Sequence, residues 1–424
     1  MSVANIGVMG TGYVGLTTAV CFSELGHKVV GFDIDIKKVN TLKSGISTIH
    51  EDGMSELIVK NLNNDNLVFT DSINHISDCD FVFLCVPTPQ DSDGSADLSY
   101  VIKAAKDLNK VLKKNAILVT KSTVPVNAWK DIVFTLQRED VTVVSNPEFL
   151  REGTAISDFF NPDRIVVGSL ISSKAKEVAE LYKQGNVTTI ITDNSSAELI
   201  KYASNSFLAI KLSYVNEIAA LCEAVGANAN DVLFGMGEDT RIGSKFLKPG
   251  PGWGGSCFPK DVRALRVTAE NNSINMSLLS AALESNEKTF RRIADKVEHE
   301  LSNSLIGKKI CVWGLAFKAG TDDFRDSPSI AVIERLIGRG ASVVAYDPVV
   351  KKSNIESLKI TSNIEESCID VDAIVLLTEW EYFKNINPDS IKKQVKNQII
   401  IDSRNILNRD LWVKSGFKYI GNGW

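Results

Sequence analysis

Short apolar stretches alternate with amphipathic stretches through the first part of the chain. The apolar stretches are NIGVMG, KVVGFD, DFVFLCVP, AILVTKS, VTVVSN and RIVVG, and a helical pattern from Tyr13 to Leu25 separates the first two. Strands that alternate with helices are typical of a parallel sheet covered on both faces. The pattern predicts a doubly wound α/β domain over residues 1–195.

The pattern changes at Ser195, where one long helical stretch begins. We expect Ser195 or Ser196 to cap this helix and Gly226 to end it. The stretch is apolar on most of its circumference, which indicates a helix buried between domains or subunits rather than on a surface. It predicts a central helical domain over residues 196–300.

A second alternating region follows, with KKICVWGLAF, SIAVIERLIGRG, SVVAYDP, AIVLLTEW and QIIIDSR. It predicts another doubly wound domain over residues 301–424. The expected fold class is therefore α/β, with two doubly wound, Rossmann-like domains joined by a long central helix and a helical middle domain.

Composition narrows the possible environments and partners. The 424 residues carry a net charge of −5 without a basic stripe, which argues against nucleic acid as a partner. Seven scattered cysteines predict a reducing cytoplasm without disulfides or a cysteine metal site. No apolar run reaches the ~20 residues that span a bilayer, so we expect no membrane segment.

A glycine-rich turn follows the first strand. GTGYVG supplies Gly10, Gly12 and Gly15 before a helix, and Asp33 ends the next strand about 20 residues later. Glycines let a pyrophosphate approach the helix amino terminus, and the acid can accept hydrogen bonds from a ribose. Asp33 favours NAD over NADP because it repels a ribose phosphate, although Lys37 and Lys38 soften that preference.

Three polar loops end strands of the same predicted sheet: CVPTP (residues 85–89), KSTVP (121–125) and NPEFLREGTA (146–155). Carboxyl ends of parallel strands are where open sheets place their ligands. Each loop read alone could be an ordinary turn, but three on one edge favour a site.

Lys201 and Asn205 lie four residues apart on the long predicted helix and so share one face. Together they could donate hydrogen bonds to an oxygen that becomes negative during a reaction. The alternative is a surface pair of Glu198 and Lys201 with a solvated Asn205, and the helix pattern leaves both open.

The stretch GPGWGGSCFPKD places Cys257 between glycines and a predicted helix start. Free N–H groups and the positive end of the helix dipole favour a thiolate there, although a lone cysteine is often an inert apolar residue. Lys260 and Asp261 could simply open that helix. GLAFKAGTDDFRDSP follows a strand of the second domain, where Lys318 and Arg325 could bind a nucleotide or simply belong to a solvated charged loop.

Taken together and in order, these motifs resemble the UDP-glucose 6-dehydrogenase family over nearly the whole chain. The wider group includes UDP-N-acetylmannosamine and GDP-mannose dehydrogenases, and NPEFLREG followed by NPDRIVVG is most similar to the UDP-glucose members. The resemblance implies a four-electron oxidation of UDP-glucose to UDP-glucuronate with two NAD molecules used in succession. It further implies a thiohemiacetal and then a thioester on Cys257. Another nucleotide-sugar dehydrogenase is the alternative within this chemistry.

The resemblance also implies the site residues. Its catalytic set is Cys257, Lys201, Asn205, Asp261, Thr123 and Glu148, with Lys201 and Asn205 as oxyanion stabilisers and Asp261 as their partner in the proton or water steps. The implied NAD contacts are Gly10, Gly12, Tyr13, Val14, Gly15, Asp33, Lys38, Val86, Thr88, Thr123, Glu152, Lys260 and Arg325. The implied substrate contacts are Glu148, Phe149, Leu150, Arg151, Glu152, Lys201, Asn205, Arg241, Phe246, Leu247, Lys248, Gly254, Lys318 and Arg404.

By the same likeness the long helix forms a homodimer core and Arg241 reaches the partner's site. One departure is that the family's glycine-threonine after STVPV is Asn127-Ala128 here. Two other classes remain open: a nucleotide-sugar sensor, which would have no need of a reactive cysteine, and a thiol hydrolase. The hydrolase lacks a base, because none of the four histidines lies in a motif loop.

Overall fold

The structure is a computed structural model that describes residues 3–183, 185 and 187–424. The chain divides into two compact units. The first contains Met1–Ser204 and Arg263–Ser273, and the second contains Asn205–Val262 and Ile274–Trp424. The three-domain division with boundaries at residues 195 and 300 stays a prediction.

The first unit is built on an eight-stranded sheet with the order β3-β2-β1-β4-β5-β6-β7-β8. Its strands are β1 (Asn5–Met9), β2 (Lys28–Phe32), β3 (Leu67–Thr70), β4 (Phe81–Leu84), β5 (Ile117–Thr120), β6 (Thr142–Ser145), β7 (Ile165–Gly168) and β8 (Thr189–Thr192). All neighbours are parallel except β6 and β7. Its helices are α1 (Tyr13–Glu24), α2 (Ile36–Lys43), α3 (Met54–Asn63), α4 (Ser99–Asn109), α5 (Ala128–Leu136), α6 (Ala155–Phe160) and α7 (Ser172–Glu180), with a short 3-10 helix at Ile73–Ile76.

Helix α8 (Asn194–Val225) begins in the first unit and continues into the second. Its predicted end is correct, because Gly226 has the positive φ of 72° typical of a helix terminus. Its predicted start is wrong. Asp193 accepts hydrogen bonds from the backbone N–H and hydroxyl of Ser196 at 2.8 and 2.7 Å, so Asp193 caps the helix and Ser195 and Ser196 lie within its first turn.

The second unit contains a six-stranded parallel sheet with the order β11-β10-β9-β12-β13-β14. Its strands are β9 (Lys309–Trp313), β10 (Ser342–Tyr346), β11 (Lys359–Ile360), β12 (Ala373–Leu376), β13 (Ile399–Asp402) and β14 (Lys418–Ile420). The helices after α8 are α9 (Ala229–Gly237), α10 (Phe258–Asn271), α11 (Ser277–Glu300), α12 (Pro328–Gly338), α13 (Ile364–Ser367), α14 (Glu381–Lys384), α15 (Pro388–Lys392) and α16 (Arg409–Lys414).

Both sheets are covered on two faces, as the continuous apolar strands predicted. In β9, Ile310 and Val312 pack into one core, and Cys311 and Trp313 pack into the other. The predicted α/β class with two doubly wound sheets and a long central helix is therefore confirmed. No helix in the described part of the chain is long and apolar enough to cross a membrane.

Candidate active site

The glycine turn between β1 and α1 leaves room beside the start of the helix. A Cβ at Gly15 would lie 1.9 Å from the carbonyl oxygen of Gly10, so this glycine lets α1 pack on the turn. Gly10 itself has a φ of +91°. A Cβ on Gly12 would meet none of the described atoms within 4 Å, and no side chain caps α1 there. The first-turn N–H groups, which include those of Tyr13 and Val14, therefore fit a pyrophosphate.

Asp33 lies at the carboxyl end of β2 and is 6% exposed. Its Oδ2 accepts hydrogen bonds from the Thr11 N–H at 2.9 Å, the Thr11 hydroxyl at 2.8 Å and the Lys38 ammonium at 3.0 Å, and its Oδ1 accepts from the Asp35 N–H. Burial alone raises the pKa of Asp33, but these donors hold it below its usual range. A carboxylate therefore stands where a ribose would bind.

The three polar loops meet at the edge of the first sheet. The Ser122 hydroxyl donates to the carbonyl oxygen of Val86 at 2.7 Å, which joins the KSTVP and CVPTP loops and leaves Thr88 and Thr123 half-buried. Tyr13 donates to Glu51 and accepts from the Gly153 N–H at 2.6 Å. The glycine turn is thereby tied to the NPEFLREG loop, in which Glu152 is half-buried.

Lys201 and Glu148 form a buried ion pair in the first unit. The ammonium donates to Glu148 Oε1 at 2.9 Å, and both side chains are about 5% exposed. Glu148 Oε2 accepts from the Leu150 N–H at 2.7 Å. Phe149 lies under two cations, with Lys201 Nζ 5.3 Å and Arg164 Cζ 3.7 Å from the ring centre. The neighbouring Arg151 is exposed and pairs with Asp158.

The alternative of a surface pair between Glu198 and Lys201 is wrong. Glu198 is 4% exposed and accepts from the backbone N–H groups of Asn127 at 2.7 Å and Trp129 at 3.2 Å. These are the free donors at the start of α5, so Glu198 caps that helix from α8. Asn127 has a φ of +76°, a conformation in which glycine is most stable and asparagine is tolerated. The conformation of Asn127 is therefore one that a glycine at this position could also adopt.

Cys257 immediately precedes α10 in the second unit and is half-buried. The loop before it is fixed by hydrogen bonds from two helices. The indole N–H of Trp253 donates to Ser213 at 2.8 Å, and the backbone N–H of Trp253 donates to Asn286 at 2.8 Å. The backbone N–H of Gly250 donates to Asn216 at 2.9 Å. A Cβ on Gly254 would lie 2.0 Å from the carbonyl oxygen of Asp326, so only glycine fits there.

Asn205 and Asp261 are joined in the same unit. The amide of Asn205 donates to Asp261 Oδ2 at 2.6 Å, and Lys260 donates to Asp261 Oδ1 at 2.7 Å. Asp261 lies in the first turn of α10, as the helix-start reading predicted, and it is also fully buried and held by these two donors. Lys201 lies one helical turn before Asn205 on α8, as the spacing predicted.

Several of the predicted substrate contacts lie in the second unit. Arg404 donates to the carbonyl oxygens of Leu377 and Phe317 at 2.8 and 3.2 Å, and Phe317 directly precedes Lys318. The guanidinium of Arg404 would lie 3.1 Å from a Cβ on Gly250. Phe246 is 39% exposed with a strained φ of +62°. Leu247 is buried in an apolar core, and Lys248 is exposed.

Two predicted contacts are exposed arginines paired within their own turns, Arg241 with Asp239 and Arg325 with Asp323. Sequence reasoning named Lys121 and Asn146 only as the first residues of polar loops. It missed five other buried polar residues around the motifs: Glu51, Tyr182, Ser213, Asn216 and Asn286. Their only sequence signal is a polar side chain within an otherwise apolar stretch. Among the residues described, no group of three His, Cys, Asp or Glu side chains is placed to hold a metal ion.

Comparison with known proteins identifies the family. The UDP-glucose/GDP-mannose dehydrogenase family matches the chain with its NAD-binding domain at residues 4–186, its central domain at 195–288 and its UDP-binding domain at 311–409. The chain belongs to this family. As a member, it is an NAD-dependent oxidoreductase, and the open space at Gly12 and the carboxylate of Asp33 fit that cofactor.

Individual members of the family are similar over the full length. A UDP-glucose 6-dehydrogenase of Rhizobium meliloti is 44% identical, with 99% of each chain covered. The structure of a UDP-glucose dehydrogenase from Pyrobaculum islandicum matches with a TM-score of 0.92 at 33% identity, covering 100% of this chain and 98% of that one. A UDP-D-ManNAc dehydrogenase from Pyrococcus horikoshii matches with a TM-score of 0.89 at 28% identity and 99% coverage of both chains.

Proposed function

We propose that the protein oxidises UDP-glucose to UDP-glucuronate in a four-electron reaction with two NAD molecules. The observation that carries this proposal is a half-buried cysteine, Cys257, at the start of α10 in a loop fixed by helices α8 and α11. The likeness to UDP-glucose 6-dehydrogenases over the full chain supports the substrate. UDP-N-acetylmannosamine and GDP-mannose are the alternative substrates. The similarity to the Pyrococcus horikoshii enzyme supports UDP-N-acetylmannosamine as an alternative.

Cys257 supplies the covalent step. When bound, NAD accepts the hydride that each of the two oxidations removes from C6 of the sugar. Between the two oxidations, the sulfur attacks the aldehyde carbon and forms a C–S bond. The resulting thiohemiacetal has a hydroxyl and a hydrogen on the same carbon, as an alcohol does, so this carbon can give up a second hydride. Oxidation turns it into a thioester. Water then adds to the acyl carbon, the C–S bond breaks, and the thiolate leaves with the carboxylate as product.

We assign polar side chains on α8 and α10 to stabilising the negative charge and accepting the protons that arise during the reaction. Lys201 and Asn205, one turn apart, donate hydrogen bonds to the oxygen on C6 when it becomes negative. Asp261 holds Asn205 in place and accepts protons from the reacting groups. Thr123 and Glu148 position water and substrate in the first unit. Near Cys257, we assign the nucleotide part of the substrate to Lys318, Arg404 and the loop that contains Gly250 and Gly254.

We further propose that two copies of the chain pair through α8. Phe207, Tyr214 and Leu221 are 65%, 52% and 56% exposed and follow one another at intervals of seven residues. This spacing places them on one side of the helix, and exposed apolar rows of this kind are typical of interfaces.

The function is tested with purified protein, NAD and a panel of UDP-glucose, UDP-galactose, UDP-N-acetylmannosamine and GDP-mannose. We expect two NADH for each UDP-glucose consumed and little free aldehyde. One NADH with accumulating aldehyde would contradict the covalent route, and turnover of another sugar alone would change the substrate.

Variants of the cysteine test the route itself. Cys257→Ser should trap sugar on the protein, seen as an increased intact mass after UDP-glucose and NAD are added, because an alkoxide leaves far less readily than a thiolate. Cys257→Ala should give neither adduct nor sustained product. Cys79→Ala, which removes a buried thiol of the first unit, should keep the normal stoichiometry. Glucuronate formation by Cys257→Ala at the normal rate would show that this cysteine is structural.

A further inference from the structure

Lys121 is a buried cation of the first unit to which the proposed reaction assigns no role. It follows β5 in the KSTVP loop and is 3% exposed. Its ammonium donates to the Tyr182 hydroxyl at 2.9 Å and to the amide oxygen of Asn146 at 3.3 Å, and it lies 5.5 Å from the centre of the Tyr182 ring. Both hydrogen-bond partners are neutral. A buried ammonium is costly, so a nearby negative charge is expected to balance it.

The position of this ammonium is fixed from three sides. Tyr182 also donates to Asn146 Oδ1 at 2.5 Å, and the Asn146 amide donates to the carbonyl oxygen of Val166 in β7 at 2.8 Å. The network therefore joins the ends of β5 and β6 to β7 and to the segment after α7. Lys121 cannot move without breaking it.

The nearby negative charge is Glu148. Both residues line one cavity of about 60 Å³, together with Asn146 and Tyr182. Burial raises the pKa of Glu148, whereas the charge and hydrogen bond of Lys201, the charge of Lys121 and the Leu150 N–H lower it, and the net result lies below the usual value. Lys201 thus makes the ion pair with Glu148 at 2.9 Å, and the charge of Lys121 acts on Glu148 across the cavity that both residues line.

The other groups around Glu148 do not replace either cation. Burial raises the pKa of the Cys85 thiol to about 12, so this neighbour is neutral. The rest of the cavity wall carries both signs, with Arg151, Asp158, Asp163 and Arg164. Arg151 pairs with Asp158, and Arg164 lies over Phe149.

We propose that Lys121 is a positioning residue, whose fixed ammonium keeps Glu148 in its carboxylate form while Lys201 turns from Glu148 to the reacting oxygen. The need for this follows from the proposed function, on which the inference rests. If Lys201 donates to the substrate oxygen, Glu148 loses its bonded cation inside a buried region, and a proton would otherwise replace it. Lys121 supplies the compensating charge through space.

The first experiment needs neither substrate nor cofactor. Infrared spectra of Lys201→Met are compared with those of Lys201→Met/Glu148→Gln at neutral pH, so that the difference reports only the carboxyl of Glu148. The proposal predicts an ionised Glu148 in Lys201→Met, because Lys121 is still present. A protonated-carboxyl band at neutral pH that disappears in the double variant would overturn it.

The second experiment is the pH profile of kcat. Lys121→Met should move the acidic limb of the kcat profile to higher pH by about one unit. This is the lower end of the pKa shift that a neighbouring opposite charge produces in a carboxyl group. Lys121→Arg should restore the profile. Lys130→Met, which removes an exposed cation of α5 and leaves the network of Lys121 intact, should leave the limb in place.

The outcomes separate the two proposals. A Lys121→Met profile that coincides with that of the natural protein would show that Lys121 only supports the local packing. If Lys121→Met does not fold, the infrared comparison decides, because it leaves Lys121 intact. Absence of NADH formation with every sugar would refute the proposed function, whereas the infrared result would still report the charge of Glu148.

Discussion

The carboxylate of Asp33 has two neighbours with opposite consequences for cofactor choice. The N–H and hydroxyl of Thr11 orient it at the end of β2, whereas Lys38 neutralises part of its charge at 3.0 Å. Repulsion of a ribose phosphate therefore depends on the balance between Asp33 and Lys38, and each can be changed separately.

We predict that Asp33→Ala weakens NAD binding and narrows the preference for NAD over NADP by about tenfold or more. It removes an acceptor worth about 1.5–3 kcal/mol and the repulsion of the phosphate together. Lys38→Met should widen the preference, because the negative charge is then unopposed. The measurement is the ratio of kcat/KM for the two cofactors. A natural protein that already prefers NADP would contradict this assignment.

The buried pair of Lys201 and Glu148 links rate and stability at one position. Lys201→Ala should lower turnover by about a hundredfold or more, as removal of one oxyanion donor does. It should also lower the free energy of unfolding by about 3 kcal/mol, because it leaves Glu148 buried without its bonded cation. Steady-state kinetics and denaturant unfolding measure the two effects.

A double variant separates the two effects of Lys201. Lys201→Met/Glu148→Gln should recover most of the lost stability, since no buried charge is left without its partner, while turnover stays low. Turnover near normal in either variant would mean that the ion pair is structural.

At the scale of elements, the connection between α8 and α5 includes a buried carboxyl group. Glu198 accepts from the first backbone N–H groups of α5, and Ser145 of β6 donates to it at 3.1 Å. Burial raises the pKa of Glu198 to about 7, against the three hydrogen bonds that favour the charged form. The anchor of α8 therefore changes its protonation near neutral pH.

This carboxyl group should make stability depend on pH. Between about pH 4.5 and pH 7 the unfolded chain has lost the Glu198 proton and the folded chain keeps it, so the free energy of unfolding falls as the pH rises through this window. Glu198→Gln should remove on the order of 2 kcal/mol of this fall, measured by denaturant unfolding at several pH values.

The control for this measurement is Glu56→Gln, an exposed carboxyl on α3. It should leave the pH dependence of unfolding as it is in the natural protein. Parallel pH curves for Glu198→Gln and the natural protein would show that Glu198 does not titrate in this range.

How far the sequence predicts these elements depends on how local their signal is. Strands such as β1, β4 and β9 are continuous apolar runs, and helix α8 ends at a glycine that its pattern marks. Edge strands β11 and β14 have two and three residues, too few for a pattern. The edge strands β3 and β8 were also missed, although with four residues each they are as long as β4; both contain exposed positions, whereas β5 and β7 of the same length are buried throughout. The candidate site shows the same limit. GTGYVG is visible in the sequence, whereas the bond from Tyr182 to Asn146 joins residues 36 positions apart.

At the scale of the whole molecule, the two sheets repeat one topology. Leaving aside β7 and β8, both follow the same order of six parallel strands, and both place a glycine with positive φ after the first strand, Gly10 and Gly314. Asp347 corresponds in position to Asp33, but it is fully buried and accepts from the N–H groups of Leu315 and Ala316 at 2.7 and 3.1 Å. The sequences are too different to reveal this repetition.

The exposed row on α8 makes a prediction about assembly. Phe207→Glu/Tyr214→Glu should convert a dimer into monomers in sedimentation equilibrium, because two buried charges in each copy cannot be paired across an apolar interface. Phe134→Glu, at a residue that is 76% exposed on α5, should leave the mass unchanged. An unchanged mass for the double variant would place the interface elsewhere.

The first unit is interrupted in sequence, and this matters during synthesis. Its last segment, Arg263–Ser273, packs against the loop that follows β4, where Arg263 donates to Gln90 at 3.1 Å and Val267 lies beside Gly94. A ribosome adds roughly 5–20 residues each second, so the nascent amino-terminal part waits several seconds after Ser204 before this segment emerges. During that interval the loop that contains Gln90 and Gly94 lacks these contacts. Slow translation between codons 205 and 273 would lengthen the exposure to proteases and chaperones without changing a single amino acid.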